Sequence, residues 1–167
     1  MQAYKAMMSE QEIEAVTNLL KPEFDCLEFG AGYSTVYFNQ FVRSWTSIEH
    51  DRDWFFKVVN MIEFDKMKNK IVHASPPDYL TSAVRLGKKY DFILIDGILR
   101  KECLNLAFKL LKPNGIIILH DASRFEYQEW CNKYPNETLS EGEMPDPIHE
   151  GYFLIRGIKK YEIANKL

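Results

Sequence analysis

The sequence predicts an α/β fold: one three-layer domain on a mostly parallel sheet, closed by an antiparallel hairpin. Three observations predict it. Short apolar runs alternate with amphipathic segments over roughly the first 120 residues, the pattern of parallel strands joined by crossover helices. The first of these runs ends in a Gly-x-Gly turn, Gly30-Ala31-Gly32, that opens a helical segment. The last third holds two strand-like runs with no helix between them, which calls for an antiparallel hairpin. A chain of 167 residues with 46% apolar content suits one core, and no internal repeat or second domain is visible.

The elements follow in order. Ser9-Glu10-Gln11-Glu12 reads as a capping box, so a helix begins there. Ile13, Val16, Leu19 and Leu20 form its apolar face, and Lys21-Pro22 ends it because proline cannot continue the ladder. Residues 1–22 are therefore expected as an N-terminal helix ahead of a core spanning 23–121. Its strands are expected at Phe24–Phe29, Ser44–Glu49, Lys70–Ala74, Tyr90–Asp96 and Gly115–His120. Trp54, Phe55, Val58, Val59 and Ile62 repeat at helical spacing, as do Cys103, Leu104, Ala107, Phe108 and Leu111. Both stripes read as helix faces packed on the sheet and are assigned no function. Residues 122–167 supply a helix, a weak strand near Glu137–Ser140, a polar proline-rich loop and a strong strand at Gly151–Arg156.

Composition narrows the partners. A net charge of −3 with interspersed signs offers no basic footprint for nucleic acid and no polybasic membrane patch, so a small molecule is the expected substrate. Cys26, Cys103 and Cys131 are odd in number and lack C-x-x-C spacing, which indicates neither a disulfide framework nor zinc and fits a cytoplasmic setting. No apolar run is long enough to span a bilayer, and the opening MQAYKAMMSE lacks the apolar segment of a signal peptide.

Ligands of open α/β sheets bind beyond the carboxyl ends of the strands. Gly30 permits a tight turn there, and Gly32 lets backbone approach a ligand; a plain structural turn is the alternative. Glu49 ends the next strand at nearly the ~20-residue offset from which an acidic side chain grips a ribose diol, the alternative being a solvated glutamate. His50 and Asp51 follow directly, and either flanks the adenosine or is simply exposed. Glu28 stands two residues before Gly30, and the loop has no Lys or Arg. A carboxylate there repels a pyrophosphate and suits a ligand carrying an ammonium and a sulfonium. Where a third glycine would stand, Ser34 and Thr35 offer hydroxyls to a carboxylate. The reading favours S-adenosylmethionine over NAD.

The stretch LEFGAGYST resembles the first motif of the class I S-adenosylmethionine-dependent methyltransferases, SIEHD their second, YDFILIDG their fourth, and LLKPNGIIILHD the strand beyond it. The resemblance covers most of the chain. It implies a Rossmann-like seven-stranded sheet with the last strand antiparallel, and a cofactor site of Glu28, Phe29, Gly30, Ala31, Gly32, Ser34, Thr35, Glu49, His50, Ala74, Ser75 and Asp96. An acidic residue is expected after the third strand to face the adenine amine, but Asp78 lies beyond two prolines, which leaves Ala74 and Ser75.

The IDG and HD segments resemble small-molecule O-methyltransferases, some of which bind a divalent metal. Asp96 and Asp121 fall at two of the ligand places, but Ala122 leaves the usual acidic pair incomplete, and no metal is assigned. Asp96, His120 and Asp121 end neighbouring strands and are the candidate catalytic groups; His120, at an ordinary pKa near 6.5, is either a base for a hydroxyl or a hydrogen-bonded structural residue, and the alternative for Asp96 is a structural cap at the strand end. Arg100, Lys101 and Arg124 follow as anion-recognising groups or surface charges. Little chain precedes the first strand to cover the site, so a second protomer or a mobile loop is expected to do so. A non-catalytic cofactor-binding module and an NAD-type oxidoreductase are the rival readings.

Overall fold

The computed structural model describes residues 5–62, 69–145 and 153–162. Helix α1 (Glu10–Leu19) starts as the capping box requires: the Ser9 amide donates to Glu12 Oε2 at 2.8 Å, and the Glu12 amide donates to Ser9 Oγ at 3.2 Å. Strand β1 (Asp25–Phe29) leads into α2 (Tyr33–Phe38), then β2 (Ser44–Glu49), α3 (Arg52–Met61), β3 (Asn69–His73) and α4 (Asp78–Arg85). Next come β4 (Tyr90–Ile95), α5 (Arg100–Leu110), β5 (Leu111–His120), α6 (Phe125–Cys131), β6 (Glu137–Pro145) and β7 (Phe153–Glu162).

The sheet has seven strands in the order β3-β2-β1-β4-β5-β7-β6. Strands β1 to β5 pair in parallel, and β7 runs antiparallel to both β5 and β6. The order reverses between β1 and β4, so their carboxyl ends open the crevice in which such sheets bind ligands.

Strand parity sorts the core into two layers, because successive side chains point to opposite faces. Leu27, Phe29, Ile93, Ile95, Ile117 and Leu119 pack under α4 and α5, against Tyr79, Ala83, Cys103, Leu104 and Ala107. Cys26, Trp45, Phe92, Leu94 and Ile118 face the other way, against Ile13 and Val16 of α1 and Phe38 of α2. Glu28 has the parity of Cys26, a placement that governs its role.

The closing hairpin is longer than its sequence suggests. Pairing runs from Glu137 with Lys160 to Pro145 with Phe153, well past the expected Ser140 and Arg156. Ile158 and Tyr161 are fully buried, while Lys160 answers Glu137 at 2.7 Å, so the charged residues at this end belong to a paired strand. Gly151, the expected start of the last strand, lies outside the described residues. Strand β5 pairs in regular register from Ile116, as expected, after an irregular entry around Asn114, whose φ is 62°.

Candidate functional site

The loop after β1 is shaped by contact between two glycines. Gly30 has φ 92°, a conformation natural only to glycine, and its amide donates to the Ile48 carbonyl at 2.8 Å. A Cβ on Gly30 would lie 2.6 Å from Gly97 Cα, so the turns leaving β1 and β4 meet backbone to backbone. Above them opens a cleft of about 650 Å³. It is bordered by Gly30, Ala31, Gly32, Ser34, Glu49, His50 and Asp96, and also by Met7, Tyr33, Asp51, Asp53, Trp54, Lys57, Gly97 and Ile98.

Glu49 is 3% exposed, and both its oxygens are oriented by backbone: Oε2 accepts from the Ala31 amide at 2.9 Å and Oε1 from the Asp51 amide at 2.7 Å. The carboxylate therefore ties the end of β2 to the glycine loop. Oε1 also faces His50 Nδ1 at 2.9 Å, so the lone pair left for a ligand hydroxyl is on Oε2.

Glu28 sits elsewhere than the sequence suggests. Its parity turns it beneath α2, where it is fully buried and does not border the cleft. Ser34 Oγ donates to it at 2.6 Å, Ser47 Oγ at 2.6 Å, Trp45 Nε1 at 2.9 Å, and the Thr35 hydroxyl completes the set. Burial pushes its pKa up to about 7 against the pull of these four donors. The hydroxyls expected to meet a ligand carboxylate are thus turned inward to Glu28. Phe29 is likewise core, and Thr35 is 1% exposed. Ala74 and Ser75 do not border the cleft: the Ala74 amide donates to the Glu49 carbonyl at 2.8 Å and Ser75 Oγ to the His50 carbonyl at 2.8 Å, stitching β3 to β2.

The three candidate catalytic residues do converge, but into a buried ionic cluster. His120 Nδ1 lies 2.7 Å from Asp96 Oδ1 and 3.7 Å from Asp121 Oδ1, and its Nε2 faces Glu12 Oε1 across 3.6 Å. The imidazole is 1% exposed. Desolvation opposes its charge, but Asp96, then Glu12 and Asp121, outweigh it and raise the pKa to about 10. Carboxylates on both sides favour the imidazolium, which has no lone pair to take a proton, so the arrangement supports the hydrogen-bonded structural role over that of a base. Arg100 donates to the carbonyls of His120, Gly97 and Asp96 at 2.6, 2.9 and 3.0 Å and pairs with both Asp96 and Asp121. Arg124 reaches Asp121 Oδ2 at 2.7 Å. Of the three residues, only Asp96 borders the cleft.

No family model matches this sequence, and no curated protein matches it. Solved structures do resemble it. An O-methyltransferase from Bacillus cereus in complex with SAH (S-adenosylhomocysteine) superposes with a TM-score of 0.72 at 15% identity, covering 96% of this chain and 84% of that one. A precorrin-6Y C5,15-methyltransferase from Geobacter metallireducens gives 0.69 at 15% identity, covering 96% and 94%. The O-methyltransferase TomG from Streptomyces achromogenes, in complex with SAM (S-adenosylmethionine), gives 0.66 at 12% identity, covering 92% and 80%. The fold is that of the S-adenosylmethionine-dependent methyltransferases.

Within this methyltransferase fold, two features at or beneath the cleft escape the sequence reading. The stripe that begins at Trp54 packs, as expected, against the buried cluster of Ala31, Val58 and Ile62, but its first residue also serves the cleft. Trp54 itself stands at the cleft wall, its indole N–H donating to the Ala31 carbonyl at 2.6 Å and its ring under Lys57 Nζ at 4.5 Å. Its place one turn into α3, where Asp51 caps its amide at 2.7 Å, is the one local signal that could have marked it. Arg100 is the other, a buried staple where the sequence offered an anion binder or a surface charge.

Proposed function

We propose that this chain is a methyltransferase that uses S-adenosylmethionine and acts on a small-molecule acceptor, with oxygen as the receiving atom. The observation that carries the reading is the charge of the cleft: among the described residues Glu49, Asp51, Asp53 and Asp96 border it against the single ammonium of Lys57. A wall of that sign suits a cationic ligand and opposes a pyrophosphate, which is the reason to prefer this cofactor to NAD. The charge argument made for Glu28 thus holds at the cleft through other carboxylates.

The residues fit the cofactor. Glu49, preset by two backbone amides, accepts the ribose hydroxyls; the backbone at Gly30 and Gly32 lets the methionine end lie against the loop; His50 and Ile98 flank the adenosine. Asp96, held by Arg100 and His120, presents a fixed negative charge to the cationic end. When bound, S-adenosylmethionine supplies an electrophilic methyl group on sulfur. The chain's part is to position the reactants in line.

A second reading, a cofactor-binding module without turnover, is favoured by the state of His120, because the expected base is buried and already protonated. An acceptor methylated here either arrives ionised or loses its proton to a group at the open rim of the cleft. Calorimetry with S-adenosylhomocysteine, NAD and NADP tests the cofactor: S-adenosylhomocysteine is expected to bind and raise the melting temperature, and the dinucleotides are not. Binding of NAD alone would overturn the reading. Transfer of labelled methyl to a panel of phenols, sugars and carboxylates then separates enzyme from module.

A further inference from the structure

Side-chain donor atoms of Asp96, His120 and Asp121 lie within 4.8 Å of one another at the ends of β4 and β5. Two carboxylates and an imidazole so arranged resemble a cation site, and the related O-methyltransferase pattern suggests a divalent metal. The geometry says otherwise. The guanidinium of Arg100 lies between the carboxylates, Nη2 at 3.2 Å from Asp96 Oδ1 and Nη1 at 3.2 Å from Asp121 Oδ2. It is held there by three carbonyls from two strand ends, those of Asp96, Gly97 and His120, and its side chain is only 9% exposed. His120 Nδ1 takes Asp96 Oδ1 from the other side at 2.7 Å, and Arg124 takes Asp121 Oδ2 at 2.7 Å.

A divalent ion demands several oxygen donors turned toward it at about 2.1 to 2.5 Å. Here the carboxylates are turned toward cations that belong to the chain. To admit a metal, Arg100 would have to leave three carbonyls without their donor inside the protein, an expensive exchange. The charges also balance already: Glu12, Asp96 and Asp121 face His120, Arg100 and Arg124.

We infer that Arg100 itself fills the cation position between Asp96 and Asp121, so that this cluster takes no divalent metal and Arg100 serves as the positioning residue that fixes Asp96 at the cleft. The guanidinium does what a bridging metal would do for the strand ends, locking β4 to β5, while the carbonyls it holds close the turn into α5. This stands independently of the cofactor reading, since a metal titration needs no cofactor.

The test is titration of Mn²⁺ alone into the full chain, followed by the paramagnetic resonance signal of free ion, for wild type, Arg100→Ala, Arg100→Lys and Asp121→Asn. Wild type and Arg100→Lys are expected to leave the signal that of free Mn²⁺ into the millimolar range. Arg100→Ala, checked for folding by circular dichroism, is expected to gain saturable binding that a second substitution, Asp121→Asn, removes. Micromolar binding by wild type that Asp121→Asn removes would overturn the inference, and so would a folded Arg100→Ala as blind to Mn²⁺ as wild type. Should Arg100→Ala fail to fold, wild type against Asp121→Asn decides alone: binding lost in the variant refutes, and no binding in either supports.

Discussion

His120 Nδ1 and Asp96 Oδ1 are 2.7 Å apart, joining the ends of β5 and β4 through an imidazole that is 1% exposed. On its far side the same ring faces Glu12, whose other oxygen closes the capping box of α1. One side chain therefore links the N-terminal helix to the floor of the cleft. A residue buried in this way is built to hold charge in place and is poorly suited to shuttle protons with solvent.

Stability should fall as pH rises through the alkaline range. The folded-state pKa of His120 is raised to about 10, above its ordinary 6.5. Its contribution is therefore fully present below pH 6.5 and is lost as pH climbs toward 10. The difference in melting temperature between wild type and His120→Gln should shrink across that window. A difference independent of pH would mean that the imidazole is neutral in the fold. Under the proposed activity, methyl transfer should show no limb near pH 6.5 from this residue, in contrast to a free histidine base.

Glu28 gives the opposite contrast, structure without ligand contact. Glu28→Ala would strand the Trp45 indole N–H and three hydroxyls in the interior, a loss on the order of 2 to 4 kcal/mol by chemical denaturation. The pKa of about 7 lies above the ordinary 4.5 and means that the folded state holds a proton the unfolded state has released. Stability should accordingly decline from pH 4.5 to 7, and Glu28→Gln should flatten that slope. Affinity for S-adenosylhomocysteine should stay near wild type in Glu28→Gln; a large loss there would return Glu28 to the cleft.

The inward turn of Glu28 shows where the sequence stops speaking. In a parallel strand covered on both faces, every position is buried, so the alternation that would assign a side chain to one face is invisible. Asp-Cys-Leu-Glu-Phe therefore reveals a strand, and its end, but not that Glu28 shares a face with Cys26. The place of Glu49 at the cleft was legible because it is last in a strand, and strand ends are marked by where apolar runs stop. The meeting of His120 with Glu12 left no local trace, since the partners are far apart in sequence and the capping box already explained Glu12. The hairpin register was hidden for another reason: a lysine such as Lys160, on a strand flanked by β5 and β6, looks like loop until its cross-strand partner Glu137 is seen.

Glu49→Gln should weaken S-adenosylhomocysteine binding by roughly tenfold to a hundredfold, the range expected when a charge-assisted hydrogen bond to a ligand hydroxyl is lost. The amide keeps one acceptor for the backbone at Ala31 or Asp51, so the loop should survive, and an unchanged circular dichroism spectrum would verify it. Unaltered affinity in a folded variant would place the ribose away from the end of β2.

The acidic cleft makes a prediction that distinguishes two ligands differing by one charge. S-adenosylmethionine carries a sulfonium that S-adenosylhomocysteine lacks, while the rest of the two molecules is the same. Asp51 and Asp53 are exposed at the cleft wall, so they act on that charge through solvent and at low strength, about 0.5 kcal/mol each at several ångströms. Asp51→Asn with Asp53→Asn should thus weaken S-adenosylmethionine about twofold to fivefold more than S-adenosylhomocysteine, and added salt should narrow the gap. The measurement is a pair of calorimetric titrations per protein at low and moderate ionic strength. Asp51 also caps α3 through the Trp54 amide, so Asp53→Asn alone serves as the cleaner arm. Equal losses for the two ligands would mean that the carboxylates shape the cleft without favouring a cation, and the electrostatic ground for preferring S-adenosylmethionine to NAD would fail with them.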